Sequence, residues 1–298
     1  MMISYGGNFE DVLLARAFLD VDTGFYVDIG AGHGKFGNVS YWFYEHGWTG
    51  VNVEPGSLFE TLPIIRPRDT NVRIAISDHD GDMRFFLHPD NPATSTVEPQ
   101  LGPQFAGKVR ERIEVRVPCI TMSTLIERYI GDRHVHFLKV DVEGSEAALF
   151  RSCDWRRFRP EVIVSEATRP YTNEPVYGEW DGCLTGASYQ FACFDGINAW
   201  FVREESAHLL PLLALPVNQL DFFVPYDDEK FRLGHELEAL RAEVASLRGA
   251  LAVAKSATEE LNRIRQELRW PNGPRSVQAV LPIAALLRAM HRKRPPPR

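Results

Sequence analysis

The chain has 298 residues, 44% of them apolar and 24% charged, with a formal net charge of −7. That length can bury one large core or two modest ones, and the composition is that of a soluble globular protein. The acidic balance excludes a general nucleic-acid footprint, no apolar run reaches bilayer length, and residues 1–7 lack the apolar core of a secretory leader, so residence in the cytoplasm is expected. Cys119, Cys153, Cys183 and Cys193 form no C-x-x-C pair and read as reduced core residues.

Three regions differ in character. Residues 1–228 alternate short apolar strands with helical patterns, as an α/β domain does. Residues 229–269 are helical by composition and nearly free of turn residues. Residues 270–298 open on Pro271-Asn272-Gly273-Pro274, a break, and end in a basic, proline-rich tail.

In chain order, Asn8, Glu10 and Asp11 begin a helix, where they cap it or close over a cofactor, with Asn8 on the substrate side. Phe25–Ile29 is the first strand and runs into a glycine turn. Thr49–Val53 is the second and ends at Glu54. Arg66, Arg68 and Arg73 are expected on a solvated surface. Residues 72–76 form a third strand ending at Ser77 and Asp78. Residues 83–87 and 113–117 are antiparallel additions, and residues 92–96 form a polar loop suited to a lid. Residues 135–140 make a fourth strand ending at Asp141, and residues 161–165 a fifth ending at Glu166. Tyr189–Phe194 and residues 199–203 make a hairpin around Asp195 and Asn198. Strands with continuous apolar runs suit a parallel sheet covered on both faces. Ligands of such sheets sit outside the carboxyl ends of the strands, where Asp28, Glu54, Asp78, Asp141 and Glu166 cluster.

Gly30, Gly32 and Gly34 let the backbone turn tightly and approach a ligand closely. Gly32-His33-Gly34-Lys35-Phe36-Gly37 matches the dinucleotide pattern G-x-G-x-x-G. Asp28 points the other way: a carboxylate there repels a pyrophosphate and attracts the ammonium of S-adenosylmethionine. Glu54 suits ribose hydroxyls of either cofactor. The alternatives are a nicotinamide dehydrogenase and a structural turn with incidental acids. His33 serves either as a base, with an ordinary pKa near 6.5, or as a local hydrogen-bonding group.

Asp141-Val142-Glu143 puts two carboxylates on one side of an extended segment, with Lys139 two residues earlier. Asp141 and Glu166 can share a hard cation such as magnesium, leaving Glu143 to take a proton from a substrate hydroxyl. The competing reading makes these acids stabilise the following helix N-terminus and makes Lys139 their ion-pair partner rather than a catalytic group. Asp195 and Asn198 either make a turn or shape the substrate site.

These segments, with Ser4–Asp11, Asn52-Val53-Glu54-Pro55, Ala75-Ile76-Ser77-Asp78, the run KVDVEGSE at 139–146 and FDGIN at 194–198, resemble the FkbM-type S-adenosylmethionine-dependent methyltransferases over residues 3–226. The resemblance implies an α/β, Rossmann-like class I methyltransferase sheet with helices on both faces. It implies O-methylation, commonly of deoxysugars in glycolipids, lipopolysaccharide or secondary metabolites, and in some members of polyketide hydroxyls. The acid-x-acid at strand four is also similar to magnesium-dependent sugar O-methyltransferases, which implies metal on Asp141 and Glu166 and base chemistry on Glu143. Ala167 stands where those enzymes carry a second acid. A cofactor-binding scaffold without turnover is the reading from another class.

Leu237, Leu240, Val244, Leu247, Leu251, Ala254, Thr258, Leu261 and Leu268 follow coiled-coil spacing, interrupted at Arg265, so a homo-oligomer is expected; a helix folded back on the domain is the alternative. The tail from Arg269 carries no acid, and peripheral contact with anionic lipid or disorder is expected there.

Overall fold

Side chains along the central strands alternate between two cores, and this alternation fixes the architecture. In a computed structural model, residues 1–97, 112–169 and 172–267 are described; the basic tail and its expected lipid contact lie outside them, as does Leu268. The strands are β1 (Met2–Ser4), β2 (Phe25–Ile29), β3 (Thr49–Val53), β4 (Thr70–Val72), β5 (Ala75–Ser77), β6 (Gly81–Leu87), β7 (Ile113–Thr121), β8 (Phe137–Val140), β9 (Val162–Glu166), β10 (Tyr189–Phe194), β11 (Asn198–Arg203) and β12 (Phe223–Pro225). The main sheet has the order β10-β11-β9-β8-β2-β3-β4. Strands β4, β3, β2, β8 and β9 are mutually parallel, and β11 joins β9 antiparallel.

Val27, Ile29, Leu138, Val140 and Ile163 face one core, with Leu149 and Phe150 of the helix Glu146–Arg151. Tyr26, Phe137, Val162, Val164 and Trp200 face the other, with Leu13 and Leu14 of the helix Glu10–Ala17. The period of two in each strand sends successive residues to opposite faces, and helices cover both. This is the α/β sheet expected from the sequence.

Residues 72–76 do not form one strand. Val72 ends β4 in the main sheet, opposite Val53, and Ala75 begins β5 opposite Cys119 in a second sheet of order β5-β7-β6. Arg73 between them is exposed and pairs with Glu60 at 2.6 Å. The expected antiparallel pair β6–β7 forms, within this smaller sheet. The short parallel pair β1–β12 joins the N-terminal segment to residues far along the chain, a contact without local periodicity. The helix Glu10–Ala17 has no side-chain cap. Phe9 at its start lies in the left-handed region at φ 62°, and Glu10 accepts the Asn8 amide at 3.0 Å.

Met1–Arg232 forms one compact unit, and the described residues from Leu233 to Glu267 belong to a second. The long helix Tyr226–Glu267 supplies the described part of the second unit, and every residue from 233 to 266 is exposed. Among the described residues, no helix is long and apolar enough to cross a membrane.

Candidate functional site

A pocket opens at the carboxyl ends of β2, β3 and β8, the crevice position of parallel α/β sheets. Its walls include Gly30, Gly32, Glu54, Ile76, Phe85, Asp141, Val142 and Glu143, with Pro92, Ala93 and Ser95 from the loop after β6. The loop at 92–96 thus stands where a lid was expected.

The glycine side is built for close approach. Gly30 lies at φ 77°, and a side chain there would put its Cβ 1.6 Å from the Asp141 carbonyl oxygen. Only glycine fits where these two strand ends meet. The amides of Gly30 and Ala31 donate to the Val53 carbonyl. The buried Glu54 carboxylate accepts from the Gly32 amide at 3.0 Å and the Gly56 amide at 2.6 Å, and burial raises its pKa.

Beneath the loop lies a buried polar network. Asp28 is fully buried and accepts from Asn38 at 3.1 Å and Ser40 at 2.6 Å. It faces inward, so it fixes the loop from below rather than lining the pocket as a ligand for an ammonium. Lys139, its register partner on β8, donates to the Gly30 carbonyl at 2.6 Å and stands 3.6 Å from Asp28 and 3.2 Å from Asp141. Burial opposes its charge, but Asp141 and Asp28 outweigh it and hold its pKa above the usual lysine value. A lysine locked to three partners is a positioning group, as the ion-pair reading has it.

Arg66 departs most from expectation. Far from being solvated, its side chain is fully buried. It donates to Asp69 at 3.0 Å, the Gly34 carbonyl at 3.1 Å, Asn38 at 3.0 Å and Ser40 at 2.9 Å, and to the Tyr26 hydroxyl. The sequence carries one signal of this, Asp69 three residues on. Arg73 is exposed as expected, and Arg68 is exposed with its guanidinium over the Tyr44 ring at 3.8 Å.

The other side of the pocket is acidic: Asp141 and Glu143 line it, and Glu166 stands beside them outside the wall. Ligand oxygens of Asp141, Glu143 and Glu166 all lie within 4.8 Å of one another. Glu143 sits at φ 51°, a left-handed conformation that costs a non-glycine residue about 1–2 kcal/mol. Burial, then Asp141 and Glu146, raise its pKa; burial, then Asp141 and Glu143, raise that of Glu166. The loop is held by Glu146, which accepts the Val142 and Gly144 amides at 3.1 Å each. Burial outweighs those donors and pushes Glu146 up to about 7. The Thr96 hydroxyl donates to the Glu143 carbonyl, joining the lid loop to the acids. Glu146 lies within the motif read from sequence, but its loop-holding role was missed; Asp141 and Glu143 do not cap the helix.

Several other expected site residues lie outside the pocket walls. His33 Nδ1 accepts the Lys35 amide at 3.2 Å and the Phe36 amide at 3.3 Å, the local role. Ser77 is buried at the end of β5. Asp78 turns outward, where it is exposed and meets His79 at 2.9 Å. Asp195 accepts the Ile197 and Asn198 amides and the Trp200 indole N–H, so it makes the turn. Asn198 lies opposite Glu166 in the ladder and donates to Glu10 at 3.0 Å. Asn8 contributes its backbone amide to Glu10.

His134, His136 and Glu161 also gather metal-type ligands, near the opposite ends of β8 and β9. The Phe25 amide donates to His136 Nδ1 at 3.1 Å. That places the proton of the neutral ring on Nε2 and removes both nitrogens as ready ligands.

The family model described as "Methyltransferase FkbM domain" matches residues 28–191, more than half of the chain. No curated protein matches the chain. A solved structure, that of CalO1, a methyltransferase in calicheamicin biosynthesis in its SAH-bound form, aligns with 65% of this chain and 53% of its own, at 15% identity and a TM-score of 0.29. The chain therefore spans about half the length of that protein.

Proposed function

We propose, from the premise that this chain belongs to the FkbM methyltransferase domain family, that it is an S-adenosylmethionine-dependent O-methyltransferase of a sugar hydroxyl, on a deoxysugar of a glycolipid, lipopolysaccharide or secondary metabolite. The observation that carries the reading is the convergence of Asp141, Glu143 and Glu166 beside the Gly30, Gly32 and Glu54 wall of one pocket. S-adenosylmethionine, when bound, supplies a methyl group already activated on a sulfonium. The residues fit it. Each Glu54 oxygen retains a lone pair for a ribose hydroxyl, and Ile76 and Phe85 offer an apolar wall to a base. Among the described residues, the ionisable groups on the pocket wall are all carboxyls, which in their ionised form suit an ammonium and a sulfonium and repel a pyrophosphate.

A sugar hydroxyl is a weak nucleophile at neutral pH, so its proton must have an acceptor. Glu143, in its ionised form, takes that proton; burial and neighbouring acids raise its pKa, which makes it a stronger base and favours turnover above neutral pH. When bound, the sulfonium would supply the methyl and keep the carbon–sulfur electron pair. Such assistance contributes about two to four powers of ten in rate; alignment of oxygen with the methyl contributes the rest. Asp141 and Glu166 are the residues that would hold a hard dication such as magnesium, for which a close set of carboxylate oxygens is suitable; when bound, it makes the hydroxyl more acidic.

The test is calorimetric titration of the full chain with S-adenosylmethionine, with and without magnesium, with NAD as control. Micromolar binding of the sulfonium compound with NAD silent is expected, followed by methyl transfer to deoxysugar glycosides. Absence of S-adenosylmethionine binding under both conditions overturns the reading.

A further inference from the structure

From Leu233 onward, the helix Tyr226–Glu267 carries an uncovered apolar stripe. Leu237, Val244 and Leu251 repeat every seven residues, and Leu240, Leu247 and Leu261 occupy the intervening row; each is between 46% and 62% exposed. A contiguous stripe of this kind marks an interaction surface, and strict heptad spacing selects another helix as what covers it. The flanking charges identify which helix. Calling the first row a and the second d, the e positions are Arg241, Arg248 and Lys255, and the g positions at the charged end are Glu236 and Glu243. One flank is basic and the other acidic.

We propose that this face pairs with the same face of a second copy of the chain, as a parallel, in-register, two-stranded coiled coil. In a parallel pair, each g residue meets the e residue five positions on in its partner. Glu236 of one protomer then faces Arg241 of the other, and Glu243 faces Arg248, in four symmetric pairs. An antiparallel pair places e against e and g against g, which sets arginine against arginine and glutamate against glutamate. Like charges in such positions are repulsive, so the flanks choose the orientation as well as the partner. Of the a positions, Val244 is β-branched and packs beside Leu240 and Leu247 at d, the combination that favours two strands, while Leu237 and Leu251 carry no such preference. A second copy also supplies a seam of matching length, about 50 Å for 35 residues.

The test uses the full chain. Light scattering after size-exclusion chromatography at micromolar concentration should give twice the chain mass. Glu236→Lys with Glu243→Lys turns the four attractions into repulsions and should weaken the dimer by an order of magnitude or more. Mild oxidation of Val244→Cys, and independently of Leu247→Cys, should yield a covalent dimer, because identical seam positions meet only in a parallel, in-register pair. Ala242→Cys on the outer face should not. The native chain, with its free Cys119, Cys153, Cys183 and Cys193, sets the baseline. A monomer, a larger assembly, or a dimer in which neither seam cysteine cross-links overturns the proposal.

Discussion

The two sides of the pocket are built on opposite principles. The glycine side is tied down: Arg66, Lys139 and Glu54 give its backbone partners, and Asp28 holds Asn38, Ser40 and Lys139 beneath it. The acidic side gathers Asp141, Glu143 and Glu166 within 4.8 Å, places Glu143 at φ 51°, and has Lys139 as a cation near Asp141. The difference teaches where stability and reactivity reside. A carboxylate network balanced by guanidinium and ammonium groups holds geometry. A cluster of acids that raise one another's pKa values, with local strain, is the part shaped for chemistry.

Substitutions on the two sides should therefore separate activity from stability. Glu143→Gln should lower turnover about 10²–10⁴-fold with S-adenosylmethionine affinity retained. Its unfolding free energy should be unchanged or higher, since a crowded acid is removed; a destabilised variant with normal turnover would break the contrast. Arg66→Met should do the reverse. It leaves the Asp69 carboxylate, itself fully buried, without its cation, at a cost of about 3–5 kcal/mol by denaturant titration. A loss near zero would mean that the network does not anchor the loop.

The tied side is pH-sensitive at Asp11. Asp11 accepts from Ser4 and from the Tyr5 amide, both at 2.6 Å, in the segment that bridges to Gly37. Burial pushes its pKa up to about 6. The folded chain thus binds this proton more tightly than the unfolded one. The contribution to stability is complete below about pH 4 and is lost as pH rises through about 6, by up to about 3 kcal/mol. Asp11→Asn should flatten that part of the stability–pH curve; an unchanged slope would remove Asp11 as its source. The smallest effect belongs to His33→Ala, which removes a local acceptor. It should cost about 1 kcal/mol or less and change KM by a few-fold at most, whereas a hundred-fold loss of turnover would return His33 to the reaction centre.

Strands β2 and β3 were readable to the residue because β2 is a largely apolar run closed by a glycine turn and β3 alternates valines up to the acid Glu54. The run at 72–76 looked equally continuous. Composition does not record that Val72 and Ala75 take hydrogen-bond partners in different sheets. The acidic cluster was legible because both of its segments end strands that lie next to each other. Arg66 was not, since an arginine beside Pro67 and Arg68 reads as surface, and its partners Tyr26, Gly34 and Asn38 lie 28 to 40 positions away. Asp28 was rightly placed at a strand end, but its side faces the buried network, a consequence of pleat parity that one residue type does not reveal.

The anchoring of the glycine loop also sets how it breathes. From Gly30 to Phe36, the amides of Gly30, Ala31, Gly32, Gly34, Lys35 and Phe36 all have acceptors within the protein. With a buried guanidinium bracing the segment, opening it means dismantling the centre of the sheet. Deuterium uptake at Gly30, Ala31 and Gly32 should be as slow as in β2 itself, while the amides of Lys35 and Phe36, whose acceptor is the partly exposed His33 ring, exchange on a faster clock.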